Sequence, residues 1–562
     1  LVRFSSNMKK KHLSQFFIGL ILIVLINVLA ARYFFRVDLT EDQRYTISDA
    51  TINVLDNLDD EVFVKVYLEG NFPATAAGFK RLQNAVRETL EEFRIYAGDR
   101  VQYRFIDPSA QTDTKARNQF HMELMQKGLQ PTNLIAKEGE QKTEKLIFPG
   151  ALVSYKGKET PVLLLKGNKA ATRDEILNQS VEGVEFELAS AIRKLTLKEK
   201  KRVGFLQGYS QIDPARIADL TLSLQESYDV FAVDLPKSNS LHGLDAMIMI
   251  KPDTALTEAD KYKIDQFIVN GGKALFFVDA MRVDSVGEQG TIAFPYNLNL
   301  DDLLFRYGVR LNATLIKDLN AGKIPLNVGT MGNQPQIQLM SWPFYPLINS
   351  FGRHPIVRNM DAVSTKFVGT MDTVKANGIT KTPLLFTSQY TKVLPAPVSI
   401  SFNEARRNPD PATYNNGAKP IAYLLEGSFE SLFKNRIVAS DERAKDFKEK
   451  GLPSKIIVCS DGDLVLNEFD RRKNQPLPLG VDRFMGSVFA NKDFVMHAID
   501  YLMDENGVIM SRAKEIQLRP LDKLRLKEER LSWQVINMLV PVLLVLIFGV
   551  VRQYLRQRKY AR

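Results

Sequence analysis

Two uncharged apolar runs, one near each end of the chain, constrain this sequence more than any other feature. Leu13 to Ala31 reads LSQFFIGLILIVLINVLAA and Trp533 to Val551 reads WQVINMLVPVLLVLIFGVV. At about 1.5 Å per residue each run matches a hydrocarbon core about 30 Å thick, so both read as transmembrane helices. A cleaved signal peptide is the rival reading of the first run. Its apolar stretch is long for that role, and Ala30-Ala31-Arg32-Tyr33 is a poor cleavage context. Met8 ahead of Lys9-Lys10-Lys11 reads as an alternative start, which would leave residues 1–7 dispensable.

The net charge of +10 belongs to the ends. Arg3, Lys9, Lys10, Lys11, Arg32 and Arg36 surround the first run, and Arg552, Arg556, Arg558, Lys559 and Arg562 follow the second. Without these eleven, 64 basic residues face 65 acidic ones, so the body is neutral and nucleic-acid binding is not expected. The positive-inside rule places both tails, 1–12 and 552–562, in the cytoplasm. The expectation is therefore a two-pass protein of the bacterial inner membrane. A juxtamembrane segment at 517–532 leads to the second span, and the large part is periplasmic. Asn27, Gln534 and Asn537 are the polar residues within or beside the spans. They are either contacts to partner helices, through amide hydrogen bonds in lipid, or interfacial and tolerated.

A single cysteine, Cys459, excludes an internal disulfide, a four-cysteine zinc site and a CxxC pair. The five histidines are scattered without metal-ligand spacing. The exported part reads as α/β. Residues 37–170 alternate strand patterns (62–68, 101–108, 151–155, 161–165) with a helical pattern over Phe79 to Tyr96, a thioredoxin-like plan without redox cysteines. A long amphipathic helix and a basic connector occupy 172–201. From 202 to 516 strands alternate with helices: 203–208, 231–235, 246–251, 274–279 and 455–459, with a closing helix at 491–503. That order predicts a larger Rossmann- or flavodoxin-like domain built on a parallel sheet. The stretches 320–360 and 403–418, rich in Pro, Gly and Asn, read as irregular.

Catalytic signatures are missing. There is no Walker A loop, no GxGxxG after a strand and no GxSxG elbow, so no cofactor is expected and ATP hydrolysis would need a partner. Cys459 lies inside a strand pattern and reads as a small buried residue. The residues that follow strand patterns mark where a pocket would form, since open α/β sheets bind ligands beyond the carboxyl ends of their strands. These are Gln207 and Tyr209, Asp279, and the pair Asp461 and Asp463 around Gly462. Asp-Gly-Asp is equally an ordinary turn. Trp342, Phe344 and Tyr345 form an aromatic group that suits packing better than ligand capture.

An ordered set of blocks resembles a known family. It runs from Asn178-Gln179-Ser180 through Glu187 and Val203-Gly204-Phe205-Leu206 with Gly208, to Pro383-Leu384-Leu385 and Leu425-Glu426-Gly427-Ser428-Phe429. Ser460-Asp461-Gly462-Asp463-Leu464 with Asn467, Asn491-Lys492-Asp493-Phe494, Asp500-Tyr501-Leu502 and Arg519-Pro520-Leu521-Asp522 complete it. The set resembles GldG, the gliding-motility-associated subunit of an ABC-type transporter in Bacteroidetes. One departure is Tyr209 after Gly208, where the family pattern has histidine. The resemblance implies a non-catalytic, substrate-binding or auxiliary extracytoplasmic subunit working with a GldF-like permease and a separate GldA-like ATPase, with no catalytic residues to carry over. An envelope polymer or protein is a further expected partner. The alternatives are an envelope hydrolase or amidotransferase-like enzyme with a site at Asp461 and Asp463, and a structural adaptor without transport.

Overall fold

The computed structural model describes residues 16–25, 27, 46–70, 72, 76–138, 141–166, 171–197, 199–287, 289–332, 334–436, 446–470, 473–504, 507–513 and 528–560. The chain divides into two units, Leu1–Lys514 and Glu515–Arg562.

In the first unit, the apolar helix α1 spans Phe16–Leu25; the flanking residues of the expected span, 13–15, 26 and 28–31, lie outside the described ones. A short helix, α2 (Asp49–Asp56), is capped by Ser48. Next come β1 (Val62–Val66), α3 (Ala77–Ala97), β2 (Val101–Phe105) and α4 (Thr114–Gln126). A hairpin of β3 (Thr132–Glu138) and β4 (Gln141–Ile147) precedes β5 (Gly150–Tyr155) and β6 (Lys158–Leu163). The sheet order is β2-β1-β5-β6, with β1 parallel to β2 and β5 antiparallel to both β1 and β6. Val62, Val64 and Val66 point into the core while Phe63 and Lys65 are half-buried, the period of two that one covered face imposes. Leu82, Val86, Leu90 and Phe93 of α3 recur every three or four residues and are all buried.

The helix expected at 172–201 is α5 (Arg173–Thr196). It starts at a capping box: the Glu175 N–H donates to Thr172 Oγ1 and the Thr172 N–H donates to Glu175 Oε2. This helix is not a free connector. It packs on α3, β5 and β6, and one continuous buried cluster runs from Ile47 through its Leu188 and Ile192 to Val203 and Ile509.

A second sheet begins with β7 (Arg202–Gln207), α6 (Ala218–Gln225), β8 (Asp229–Asp234), β9 (Ala246–Ile250), α7 (Glu258–Val269) and β10 (Lys273–Phe277). Thr257 caps α7 by accepting from the Asp260 N–H, and Gly271 closes it at a φ of 96°. The short helix α8 (Asp301–Tyr307) opens a lobe on the sheet. That lobe contains the correction to the sequence reading. Where 320–360 was expected to be irregular, β11 (Ala321–Met331) and β12 (Gln334–Ile348) form a long antiparallel hairpin. Pro325 and Pro335 are tolerated because a third strand, Val363–Ser364, joins only at Leu347 and Ile348, so the rest of the hairpin is all edge, where a missing N–H breaks no inner ladder. Trp342 and Phe344 of β12 are fully buried in a separate core with Leu315, Val398 and Ile400, so the aromatic group packs the lobe.

The chain returns to the sheet as β13 (Ser350–Phe351), β14 (Ile379–Phe386), β15 (Pro420–Glu430) and β16 (Lys450–Cys459). The order is β13-β14-β15-β16-β10-β9-β7-β8. The last five are parallel and the first three antiparallel. Every residue of β9 is buried, as a strand covered on both faces requires. Helix α9 (Asn491–Met503) closes the unit with the boundaries its pattern predicts.

The second unit is α10 (Arg530–Tyr560), with Pro541 inside it. Its segment Arg530–Arg558 is, among the described residues, the one helix long and apolar enough to cross a membrane. Gln534 and Asn537 are exposed on it, and most of the expected juxtamembrane segment, 514–527, lies outside the described residues.

Candidate functional site: a charged cluster at the strand ends

Asp279 follows β10 by two residues, and Asp461 and Asp463 follow β16 by two and four. Because β9, β10 and β16 are neighbouring parallel strands, their carboxyl ends emerge side by side, and the three carboxylates come within 4.8 Å of one another. The sequence reading set these acids at strand ends together with Gln207 and Tyr209; of that set the structure brings Asp279, Asp461 and Asp463 together, around a cation the reading missed. Lys251, the first residue beyond β9, places its Nζ 3.0 Å from Asp279 Oδ2 and against Asp463 Oδ2. A charged residue directly after five consecutive buried apolar ones was the available signal.

The positions are enforced by the backbone. Lys251 has a φ of 43°, a conformation that costs a non-glycine residue roughly 1 kcal/mol, and its N–H is held 2.7 Å from the Phe277 carbonyl. The Gly462 N–H donates to Asp279 Oδ1 at 2.6 Å. A Cβ on Gly462 would lie 2.8 Å from Lys251 Cβ, so glycine is required by close approach. Asp461 Oδ1 accepts from the N–H groups of Asp463 (2.8 Å) and Leu464 (3.2 Å), and its Oδ2 accepts from Lys366 N at 2.9 Å.

Burial governs the protonation of the cluster. Desolvation pushes the Asp279 carboxyl up to about 6 against the pull of Lys251, and desolvation with the Asp463 and Asp279 charges raises Asp461 well above the usual carboxylate range. The two aspartates oppose their burial by raising the Lys251 ammonium above its ordinary value. Three carboxylates are a hard-oxygen set suited to magnesium or calcium. Here an ammonium stands among the same oxygens, so a divalent ion would have to displace Lys251 first. The arrangement is an internally neutralised anchor.

It anchors the lobe and α9. Ser460 Oγ donates to the Gly369 carbonyl at 2.8 Å. Asn491, at the start of α9, accepts from Ser364 N and donates to the Ser364 and Leu464 carbonyls. Lys366 pairs with Glu468 and lies 5.6 Å over the Tyr345 ring. Ser460, Asp461, Gly462, Leu464 and Asn491, taken from the sequence as motif residues, thus form one knot.

Tyr209 belongs to a neighbouring structure. Its phenol donates to Asp260 Oδ2 at 2.5 Å and accepts from the Thr257 N–H at 3.2 Å, which ties the first turn of α7 to the loop after β7. That phenol is committed, and Gln207, the last residue of β7, is exposed. Asn27 donates to the Ile23 carbonyl at 2.9 Å within its own turn. Cys459 is buried, and desolvation with the Asp461 charge pushes its thiol well above the ordinary range, which disfavours the thiolate.

The fold is a mixed α/β body, with one helix among the described residues long and apolar enough to cross a membrane. Residues 200–498, more than half of the chain, match the family described as an ABC-type uncharacterized transport system, and the chain belongs to that auxiliary family. Residues 41–154 match a domain of unknown function. An uncharacterized protein of Borreliella burgdorferi is 21% identical, with 98% of this chain and 99% of that protein covered. Among solved structures, the mmIFT52 N-terminal domain has a TM-score of 0.31 at 12% identity, covering 54% of this chain and 99% of that one. A thuA-like protein from Parabacteroides merdae has 0.27 at 10%, covering 58% and 94%. Scores this low carry no argument.

Proposed function

We propose that this chain is a non-catalytic, membrane-anchored extracytoplasmic subunit of an ABC-type transporter of the gliding-motility type. It works with a GldF-like permease and a GldA-like ATPase. Membership of the ABC auxiliary family carries the reading. The long apolar helix followed by Arg552, Arg556 and Arg558 supports it, because such a basic flank stays on the cytoplasmic side. The finer organisation we propose is two-pass, with both tails cytoplasmic. A thioredoxin-like part spans about 37–170 and a flavodoxin-like part 202–516. The sheet order with its antiparallel third strand supports the first, and the parallel order 2-1-3-4-5 among β7, β8, β9, β10 and β16 supports the second. The strand-end carboxylates, already bonded to N–H groups and Lys251, support a role without turnover.

Two measurements test this. Purification in mild detergent followed by mass spectrometry should recover a permease and an ATPase; their absence in every detergent tried would overturn the transporter assignment. In a Cys459→Ala background, cysteines placed at Ile337 and Gln557 should behave oppositely in intact spheroplasts. An impermeant maleimide should label the first and spare the second, and equal labelling would reject the orientation.

A further inference from the structure

A cavity of about 710 Å³ opens on the antiparallel side of the large sheet, and none of the four charged strand-end residues lines it. Its wall includes Arg310, Asp372, Thr373, Asn416, Lys419 and Tyr423. The volume falls within the few hundred to about 1,000 Å³ usual for small-ligand sites.

The polar groups here are nearly all donors without partners. Tyr423, on β15, is 8% exposed as a residue and lines the cavity, and its hydroxyl, which is not sealed from solvent, has no hydrogen-bond partner among the described residues. Burial and the charge of Asp372 raise that phenol, so it stays a neutral donor. Lys419 fixes its backbone by donating its N–H to Thr387 Oγ1 at 2.8 Å, while its ammonium has no partner among the described residues. Asn416 Oδ1 accepts from the Val393 N–H at 2.8 Å, which orients the amide and leaves its NH₂ uncommitted.

The one carboxylate present is in use. Asp372 Oδ2 accepts from Arg310 Nη2 at 3.1 Å and from Asn312 Nδ2 at 2.9 Å. Arg310 Nε donates to Asn312 Oδ1 at 2.9 Å, so its Nη1 group is left over. The cavity therefore presents an ammonium, part of a guanidinium, an amide NH₂ and a phenol against one already-bonded carboxylate. The complement of such a set is a ligand that only accepts and carries negative charge. We propose that this cavity binds an oxyanion, a carboxylate or a phosphate ester, borne on a small molecule or on the end of an envelope chain.

The test uses the full chain in detergent, titrated calorimetrically with inorganic phosphate, with glucuronate as the carboxylate probe and with glucose as the neutral control. One or both anions should bind with glucose silent, and the stronger of the two tells which oxyanion the site prefers. Lys419→Met and Tyr423→Phe should each weaken that binding about tenfold or more, the loss of one charge-assisted hydrogen bond. Both should keep the wild-type melting temperature without ligand, because neither polar atom has a protein partner. Absence of anion binding at millimolar concentration, or binding unchanged in both variants, would overturn the proposal. This outcome is independent of the permease and ATPase, so it can fail while the transporter assignment stands.

Discussion

Lys251 and Asp279 stand at the carboxyl ends of adjacent parallel strands, and their charged atoms meet 3.0 Å apart. Burial nevertheless dominates the carboxyl, whose pKa lies at about 6 against 3.8 for an ordinary aspartate. The folded state thus holds a proton between these values that the unfolded chain has lost. Stability from this group rises as pH falls from about 6 towards about 4, and is lost as pH rises through 6. The contribution is about 2–3 kcal/mol, and Asp461 pushes in the same direction. In thermal melts the wild type should lose stability relative to Asp279→Asn as pH rises from about 4 to about 6, and the two should run parallel above neutrality. Parallel curves from about pH 4 to 7 would sink the assignment.

Removing the cation is a separate matter. In Lys251→Met three carboxylates within 4.8 Å would face one another without an ammonium between them. Breaking one side of a buried pair costs about 3–5 kcal/mol. The loss should be largest at neutral pH and partly recovered on acidification, when the carboxyls take up protons. A variant that melts like the wild type at neutral pH would show that Lys251 is not the neutralising group.

Gly462→Ala probes the same knot through shape alone. The φ of Gly462 is −78°, which any residue adopts, so only the new Cβ matters. It would sit 2.8 Å from Lys251 Cβ and 3.1 Å from Asp279 Oδ1. Overpacking of this kind costs about 1–3 kcal/mol. The expected reading is a lower melting temperature. No change would mean that the loop after β16 can move away freely.

Much of this was legible in the sequence because local pattern and burial agreed. The helix over Asn491–Met503 and the strand at Ala246–Ile250 carry one period throughout, so their boundaries follow from hydrophobic spacing. Asp279, Asp461 and Asp463 could be grouped because parallel strands bring their carboxyl ends together whatever their distance in sequence. Lys251 stands out as a charge directly after five apolar residues, but nothing local says that its ammonium turns back over the sheet to the aspartates. The β11–β12 hairpin was hidden for another reason. Its prolines and glycines are usual marks of loops, and only the pairing of Leu326 with Gln338 and Asn327 with Ile337 reveals a ribbon. Tyr423 reads as a strand aromatic; its unpaired hydroxyl exists only in three dimensions.

The junction between the two sheets yields the last prediction. Arg193, near the end of α5, lies 3.5 Å from both Asp500 and Asp504, the first on α9 and the second just beyond it. Asp500 also accepts from the Tyr228 hydroxyl at 2.7 Å, so one buried carboxylate joins three segments. Desolvation opposes the guanidinium, but Asp500, Tyr228 and Asp504 together outweigh it and raise its pKa. Arg193→Met keeps much of the apolar stem but strands two carboxylates that are almost fully buried, 6% and 2% exposed. The expected cost is about 3–5 kcal/mol. Pairing that substitution with Asp500→Asn should recover part of the loss, since the uncompensated charge then disappears. Strictly additive losses in the double variant would show that the two residues do not act as a pair, and that the hold between α5 and α9 comes from apolar packing alone.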